Sequence, residues 1–154
     1  MRSMRRLLCT IGFIVLAGVG PAAPAAAHDL VGIRAGVYTK LSKPFAGFEL
    51  LFPVTHSVYL NPNVEYVFID HDTFLTINAD LHYDFPTHSR AYVWAGGGLA
   101  VIYEDPEGPV GSNTDAGANF LFGVGLKGEV VPYVQAKLIA KKDTELVLGF
   151  GLRF

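Results

Sequence analysis

The sequence predicts an all-β fold, an eight-stranded antiparallel up-and-down transmembrane β-barrel preceded by a cleavable signal peptide. Three observations predict it. Apolar and polar residues alternate with a period of two over eight successive segments. Most of these segments have the roughly 9–11 residues that a tilted strand needs to cross a bilayer. The polar face of the alternation collects acids and bases together with most of the glycines.

The leader comes first. Arg2, Arg5 and Arg6 form a basic front, Leu7 to Val19 an apolar run, and Ala25-Ala26-Ala27 an A-x-A cleavage site before His28. The run is shorter than the roughly 20 apolar residues of a membrane helix. Residues 1–27 are therefore read as a signal peptide and 28–154 as the barrel domain. Cys9 is not a lipoprotein cysteine, since almost no apolar stretch precedes it, and it is the chain's single cysteine. Disulfide and thiol chemistry are thus not expected after cleavage. Cleavage removes three of the twelve basic residues and none of the fourteen acidic ones, so nine bases face fourteen acids at a net charge of −5. Such a balance disfavours nucleic-acid binding. Apolar residues make up 51% of the chain, high for a water-soluble secreted domain.

The segments run over 30–39, 45–53, 57–70, 73–85, 91–103, 118–128, 131–141 and 143–154. The first sets Val31, Ile33, Ala35 and Val37 against Gly32, Arg34, Gly36 and Tyr38. The second sets Ala46, Phe48, Leu50 and Phe52 against Gly47, Glu49 and Leu51. In the third, Leu60, Val64, Tyr66 and Phe68 oppose Asn61, Asn63 and Glu65. Pro62 is awkward there, because it cannot donate to a ladder and a closed barrel has no free edge. Either that strand starts near Asn63 or a bulge sits at Pro62. The fourth is the clearest: Leu75, Ile77, Ala79, Leu81, Tyr83 and Phe85 against Thr76, Asn78, Asp80, His82 and Asp84. The fifth, with Gly96-Gly97-Gly98, is too small on both faces to orient. In the sixth, Phe120, Phe122, Val124 and Leu126 oppose Asn119, Gly123, Gly125 and Lys127. The seventh sets Val134, Ala136 and Leu138 against Gln135 and Lys137. The eighth sets Leu146, Leu148, Phe150, Leu152 and Phe154 against Glu145, Gly149, Gly151 and Arg153.

A soluble barrel alternates too, with its apolar set inward. The inverted arrangement is favoured here. Arg34, Lys127, Lys137 and Arg153 could neutralise Glu49, Glu65, Asp80, Asp84 and Glu145 in a closed interior, with His82 among them. Glycines on the same face suit a narrow lumen. Connections at 54–57, 86–90 and 128–130 fall on one side, and those at 40–44, 70–73, 104–117 and 141–143 on the other. The longest, 104–117, would then face outward if both termini are periplasmic. Phe52, Tyr83, Phe85 and Phe154 would ring one rim of the apolar face, and Phe68, Phe120 and Tyr103 the other.

The chain resembles the small eight-stranded outer-membrane barrels, the OmpA/OmpX-like or porin-like group, over 30–154. The likeness is carried by Tyr59–Tyr66, Asn78–Tyr83, Tyr92–Leu99 and the terminal Glu145–Phe154. It implies an outer membrane of the Gram-negative type, with outer-membrane lipids, lipopolysaccharide and the outer-membrane assembly machinery as partners. Leu146, Leu148, Phe150, Leu152 and Phe154 are similar to the C-terminal signal that this machinery reads. The fold hosts adhesins, lipid-modifying enzymes, structural proteins and narrow channels, so it names no activity.

Candidate chemistry is sparse. Asp80-x-His82-x-Asp84 puts two carboxylates and an imidazole on one strand face, which suits a metal site or an acid/base pair. The reading adopted is a lumen network in which Arg34, Lys137 or Arg153 neutralises the acids. Asp70-His71-Asp72 falls in an outer loop, where barrel-type lipid A enzymes keep their catalytic groups, with Ser112 as the candidate nucleophile. His88-Ser89 falls on the opposite side. Loop 104–117 is acidic but lacks EF-hand spacing. Lys40, Lys43, Lys141 and Lys142 would sit at the outer rim near lipopolysaccharide phosphates. The expectation is a monomeric, non-enzymatic barrel without cofactor or metal, serving envelope integrity or surface interaction. A narrow porin-like channel and a lipid A-modifying enzyme are the alternatives.

Overall fold

Alternation at period two becomes eight strands, because each strand can turn one face to the interior and the other outward. The computed structural model describes residues 30–109 and 111–154; the leader, its cleavage site and Cys9 lie outside the described residues. The strands are β1 (Leu30–Tyr38), β2 (Lys43–Pro53), β3 (Val58–Ile69), β4 (Asp72–Phe85), β5 (Ala91–Asp105), β6 (Asn113–Leu126), β7 (Val131–Ala140) and β8 (Glu145–Arg153). Each pairs antiparallel with its neighbours in sequence, and β8 returns to β1, closing the barrel.

The seam is stitched beyond the strand ends. Val31 and Phe154 exchange both backbone hydrogen bonds, N–H of Phe154 to O of Val31 at 2.8 Å and the reverse at 3.2 Å. At the other end Thr39 N–H donates to Leu146 O at 2.9 Å. Within the barrel body closure leaves no strand edge to recruit another chain; only β6 residues 113–117, beyond the pairing of Ala118 with Ala140, lack a partner on the β7 side.

The outer wall is apolar and the inner wall largely polar. Ile33, Phe48, Leu81, Leu99, Phe122, Val134, Leu148 and Phe150 are exposed outside, with Leu99 at 70%. Arg34, Glu49, Asn63, Glu65, Asp80, Lys137 and Arg153 are buried inside. Phe68, Tyr83, Phe85, Phe120 and Phe154 lie exposed on the outer wall. Tyr66 with Phe68, and Tyr83 with Phe85, pack edge to face with centroids 5.3 Å apart.

Three expectations are corrected. Loop 104–117 shrinks to residues 106–112, because β5 runs to Asp105 and β6 starts at Asn113. Pairing continues out to Glu104 with Asn113, and residues Asn113 to Ala116 are exposed on both faces, so this hairpin stands clear of the barrel body. The fifth strand, unoriented by its glycines, turns Trp94, Ala100 and Ile102 inward and Leu99 and Val101 outward.

Pro62 is the third. β3 neither starts at Asn63 nor bulges; it is continuous from Val58, with Pro62 paired to Ala79 in register. The register with β2 also stays constant on either side of Pro62, from Glu49–Asn63 to Phe52–Leu60. The missing Pro62 N–H would have faced Leu50. Instead the Asn61 side chain donates from Nδ2 to Leu50 O at 2.8 Å, so the carbonyl is satisfied. Replacing Asn61 by Ala should destabilise the barrel by about 1–3 kcal/mol, the usual penalty for a buried group left unbonded. Adding Pro62→Ala should recover part of that loss by restoring an N–H at the ladder, read by urea unfolding in lipid vesicles.

Candidate functional site

The interior is the only place where the described residues concentrate buried charge. It has three layers along the barrel axis. Nearest the far end, opposite the termini, Tyr38, Phe45, Val67, Phe74, Ala100, Ile102, Ile139 and Val147 form an apolar cluster. Tyr38 packs edge to face on Phe45 and Phe74, with centroids 5.5 and 5.8 Å away. Its hydroxyl reaches into the next layer and donates to Glu65 Oε2.

The middle layer is ionic. Glu65 accepts from Lys137 Nζ at 2.7 Å and pairs with Arg34 Nη2 at 3.1 Å. Glu49 accepts from Arg153 Nε at 2.9 Å, Tyr133 hydroxyl at 2.7 Å and Asn61 Nδ2 at 3.1 Å. Arg34 bridges the two acids, with Nη1 3.5 Å from Glu49. Asp80 takes its bonds from amides, Asn63 Nδ2 at 2.9 Å and Asn119 Nδ2 at 2.8 Å. Glu49, Glu65, Asp80 and Arg153 are each 0% exposed. Three buried acids thus face three buried bases, and each acid is hydrogen-bonded, as buried charge requires.

Toward the terminal end the layer becomes aromatic. The Arg153 guanidinium lies 4.5 Å from the Trp94 ring centroid and 4.4 Å from that of Tyr133. Trp94 Nε1 donates to Gln135 Oε1 at 3.1 Å. These large rings fit because glycines face them. A Cβ on Gly123 would collide with the Trp94 indole, and one on Gly151 with the Tyr133 ring.

The residues expected in the lumen network divide accordingly. Arg34, Glu49, Glu65, Asp80, Lys137 and Arg153 come together. The acid at Asp80 meets amides rather than a base. Glu145 is buried at the far rim, where its Oε1 accepts the Lys40 backbone N–H at 2.8 Å. Lys127 lies outside the interior: β6 ends at Leu126, and the exposed Lys127 reaches Thr87 O and Oγ1 at 3.0 Å across two terminal-end turns. His82 is buried at the terminal mouth, while Asp84 is part-exposed there and accepts from Tyr92 hydroxyl at 2.7 Å. No arginine or lysine bonds Asp84 among the described residues. Sequence reasoning missed the inward Phe45, Val67, Phe74, Trp94, Tyr133, Ile139 and Val147; carrying each strand's parity to its ends would have found all but Trp94, whose strand β5 carries no such contrast.

The far-end loops hold the other candidates. Asp70 and His71 form a two-residue turn with His71 in the left-handed region at φ 65°. The exposed His71 Nδ1 lies 3.1 Å from Glu107 Oε2, and the described residues place no Ser112 hydrogen bond on it. Lys43 donates to Asp70 Oδ2 at 2.8 Å, and that bond holds the Asp70 carboxyl below its usual range. Lys40 pairs with Asp143 at 3.5 Å and Lys141 with Glu104 at 3.4 Å.

No family model matches the chain, and no curated protein matches it. Solved structures do match. The chain is similar to the N-terminal β-barrel domain of Pseudomonas aeruginosa OprF, at 16% identity and a TM-score of 0.69, covering 82% of this chain and 96% of that one. It is similar to Neisserial surface protein A at 17% identity and a TM-score of 0.65, covering 84% and 98%. It is also similar to the outer membrane enzyme PagL, at 18% identity and a TM-score of 0.61, covering 81% and 98%. The chain therefore has the fold of the small eight-stranded outer-membrane β-barrels.

Glu65 is the sharpest probe of the ionic layer. Glu65→Leu should destabilise the barrel by about 3–5 kcal/mol, because it strands Lys137 and leaves Arg34 with one acid. Combining it with Lys137→Met should recover most of that loss. Equilibrium unfolding of the single and double variants measures both.

Proposed function

We propose that the chain is an integral outer-membrane β-barrel with a structural or surface-interaction role in the envelope, and that it is neither a conducting pore nor an enzyme. The filled interior carries this reading. An eight-stranded barrel is just wide enough for its own side chains to fill. Here the apolar cluster, the ionic layer and the Trp94–Arg153–Tyr133 stack succeed one another along the axis, and their members are sealed from solvent. A continuous water file would have to wet Glu49, Glu65 and Trp94, each 0% exposed.

In this reading both termini are periplasmic, and the outer wall of Ile33, Phe48, Leu99, Phe122 and Phe150 meets lipid as a monomer. Lys40, Lys43, Lys141 and Lys142 lie at the outward rim. Three of the four are held by acids, so lipopolysaccharide phosphates would compete with existing pairs there. Phe154, with Leu152, Phe150, Leu148 and Leu146, serves as the assembly signal. Deleting Phe154 removes the last pair of seam bonds as well as the terminal aromatic.

Purified protein in planar bilayers should give no stable nanosiemens-scale openings; such openings from monomer would overturn the reading. Cell fractionation should place the chain in the outer membrane as a heat-modifiable band. Loss of Phe154 should deplete that folded band. A soluble periplasmic full-length protein would contradict the location, and a His71-dependent change in lipid A acyl chains would contradict the absence of an enzyme.

A further inference from the structure

The far mouth of the barrel, opposite the termini, holds two adjoining chambers that the ionic layer does not reach. The deep one, about 50 Å³, rests on Phe74, Ile102 and Ile139 of the apolar cluster. The wide one, about 350 Å³, is lined further out by Lys40, Asp115 and Lys142. Leu41, Glu104, Lys141 and Glu145 line both, so a guest in the wide chamber meets the deep one directly.

Charge in the chambers is unevenly matched. Lys40 pairs with Asp143 at 3.5 Å and Lys141 with Glu104 at 3.4 Å. Two acids are left over. Asp115 accepts from Asn113 Nδ2, a neutral amide, at 3.1 Å. Glu145 is 5% exposed, and no lysine or arginine side chain among the described residues pairs with its carboxylate. Its Oε1 accepts the Lys40 backbone N–H, and Oε2 bonds nothing among the described residues. A carboxylate buried this far is ordinarily matched by a cation. Oε2 is not one of the sealed interior atoms, and Glu145 lines both chambers, so its charge is open to a guest.

We propose that the far mouth binds a small aliphatic amine in its ammonium form, with Glu145 Oε2 accepting from the ammonium. Lys141 shows that the mouth accommodates this chemistry. Its ammonium lies against Glu104 and 5.9 Å from the Phe74 ring centroid. A guest ammonium at Glu145 meets the same combination of carboxylate and apolar floor. The deep chamber has room for about three to five water-sized groups. That suits an ammonium with a few methylenes and leaves out a sugar ring or a nucleobase. Asp115, in the wide chamber, offers a carboxylate to the other end of a diamine. The same acids repel phosphate, so the amine of a phospholipid headgroup is the poorer occupant.

The experiment titrates putrescine into the isotope-labelled barrel in non-ionic maltoside micelles and follows backbone amide shifts. Saturable shifts are expected at the Lys40 amide, which is bonded to Glu145, and at its neighbours. The neutral analogue n-butanol should give none, and phosphoethanolamine should bind more weakly than putrescine. Glu145→Gln keeps an acceptor for the Lys40 N–H and should weaken binding by about tenfold or more, the share of one charge-assisted hydrogen bond. Glu129→Gln, at the opposite end of the barrel, should leave it unchanged. If Glu145→Gln gives no heat-shift band, nuclear Overhauser contacts between putrescine and the Ile102 or Ile139 methyls of the parent decide instead, and their absence overturns the proposal. Shifts that survive Glu145→Gln would assign the amine to the exposed hairpin acids and overturn it. Absence of saturable shifts, or tighter binding of phosphoethanolamine, would overturn it equally.

Discussion

Closure of the sheet is the constraint on which everything else depends. Once β8 bonds to β1, no backbone edge remains in the barrel body, and the number of strands sets the width of the interior. Eight strands leave room only for side chains, so every inward position must be filled by a residue that fits its neighbours. Large rings are matched by glycines, as Trp94 is by Gly123 and Tyr133 by Gly151. Charged groups are matched by opposite charge or by amides. The outward positions carry no such constraint and are filled with Leu, Val, Ile and Phe. The polarity of the molecule is thus the reverse of a soluble barrel's, which suits a surrounding that is itself apolar.

The interior solves the cost of burying ions by sharing. Arg34 lies between Glu49 and Glu65, so neither acid depends on a single partner. Tyr38 and Tyr133 cap the acids with hydroxyl donors while their rings belong to the apolar and aromatic layers. Each tyrosine therefore joins two layers of different chemistry. Pro62 shows the same economy at the backbone: the donor that the strand lacks is supplied by the neighbouring Asn61. That substitution is local, and it keeps the register of β3 intact on both sides.

The fold was legible because period-two alternation survives in seven of the strands as a contrast between two faces. β5 was not orientable, since Ala95 to Gly98 present almost nothing on either face; only its pairing with β4 and β6 assigns Trp94 inward. Parity puts Arg34, Glu49, Glu65, Lys137 and Arg153 on one face, and all five are buried, but parity could not choose their partners. Which acid meets which base depends on the stagger between strands far apart in sequence, such as Glu49 with Arg153. For the same reason Asp80 could not be told from a salt-bridged acid, although Asn63 and Asn119 lay on the same face. Lys127 failed because its parity continued past the end of β6, where the face has no meaning. Hairpin length at 104–117 failed because turn-forming residues there also occupy strand positions beyond the barrel body.

The apolar outer wall is built to face lipid. Leu99 sits near the middle of β5 and is the most exposed large apolar residue among those described. Folding the Leu99→Arg variant into bilayers, and comparing its unfolding free energy with that of the parent, tests this directly. A lipid-facing wall predicts a loss of about 2–4 kcal/mol, the penalty for arginine near the bilayer midplane. A variant of unchanged stability, monodisperse in buffer without detergent, would contradict it.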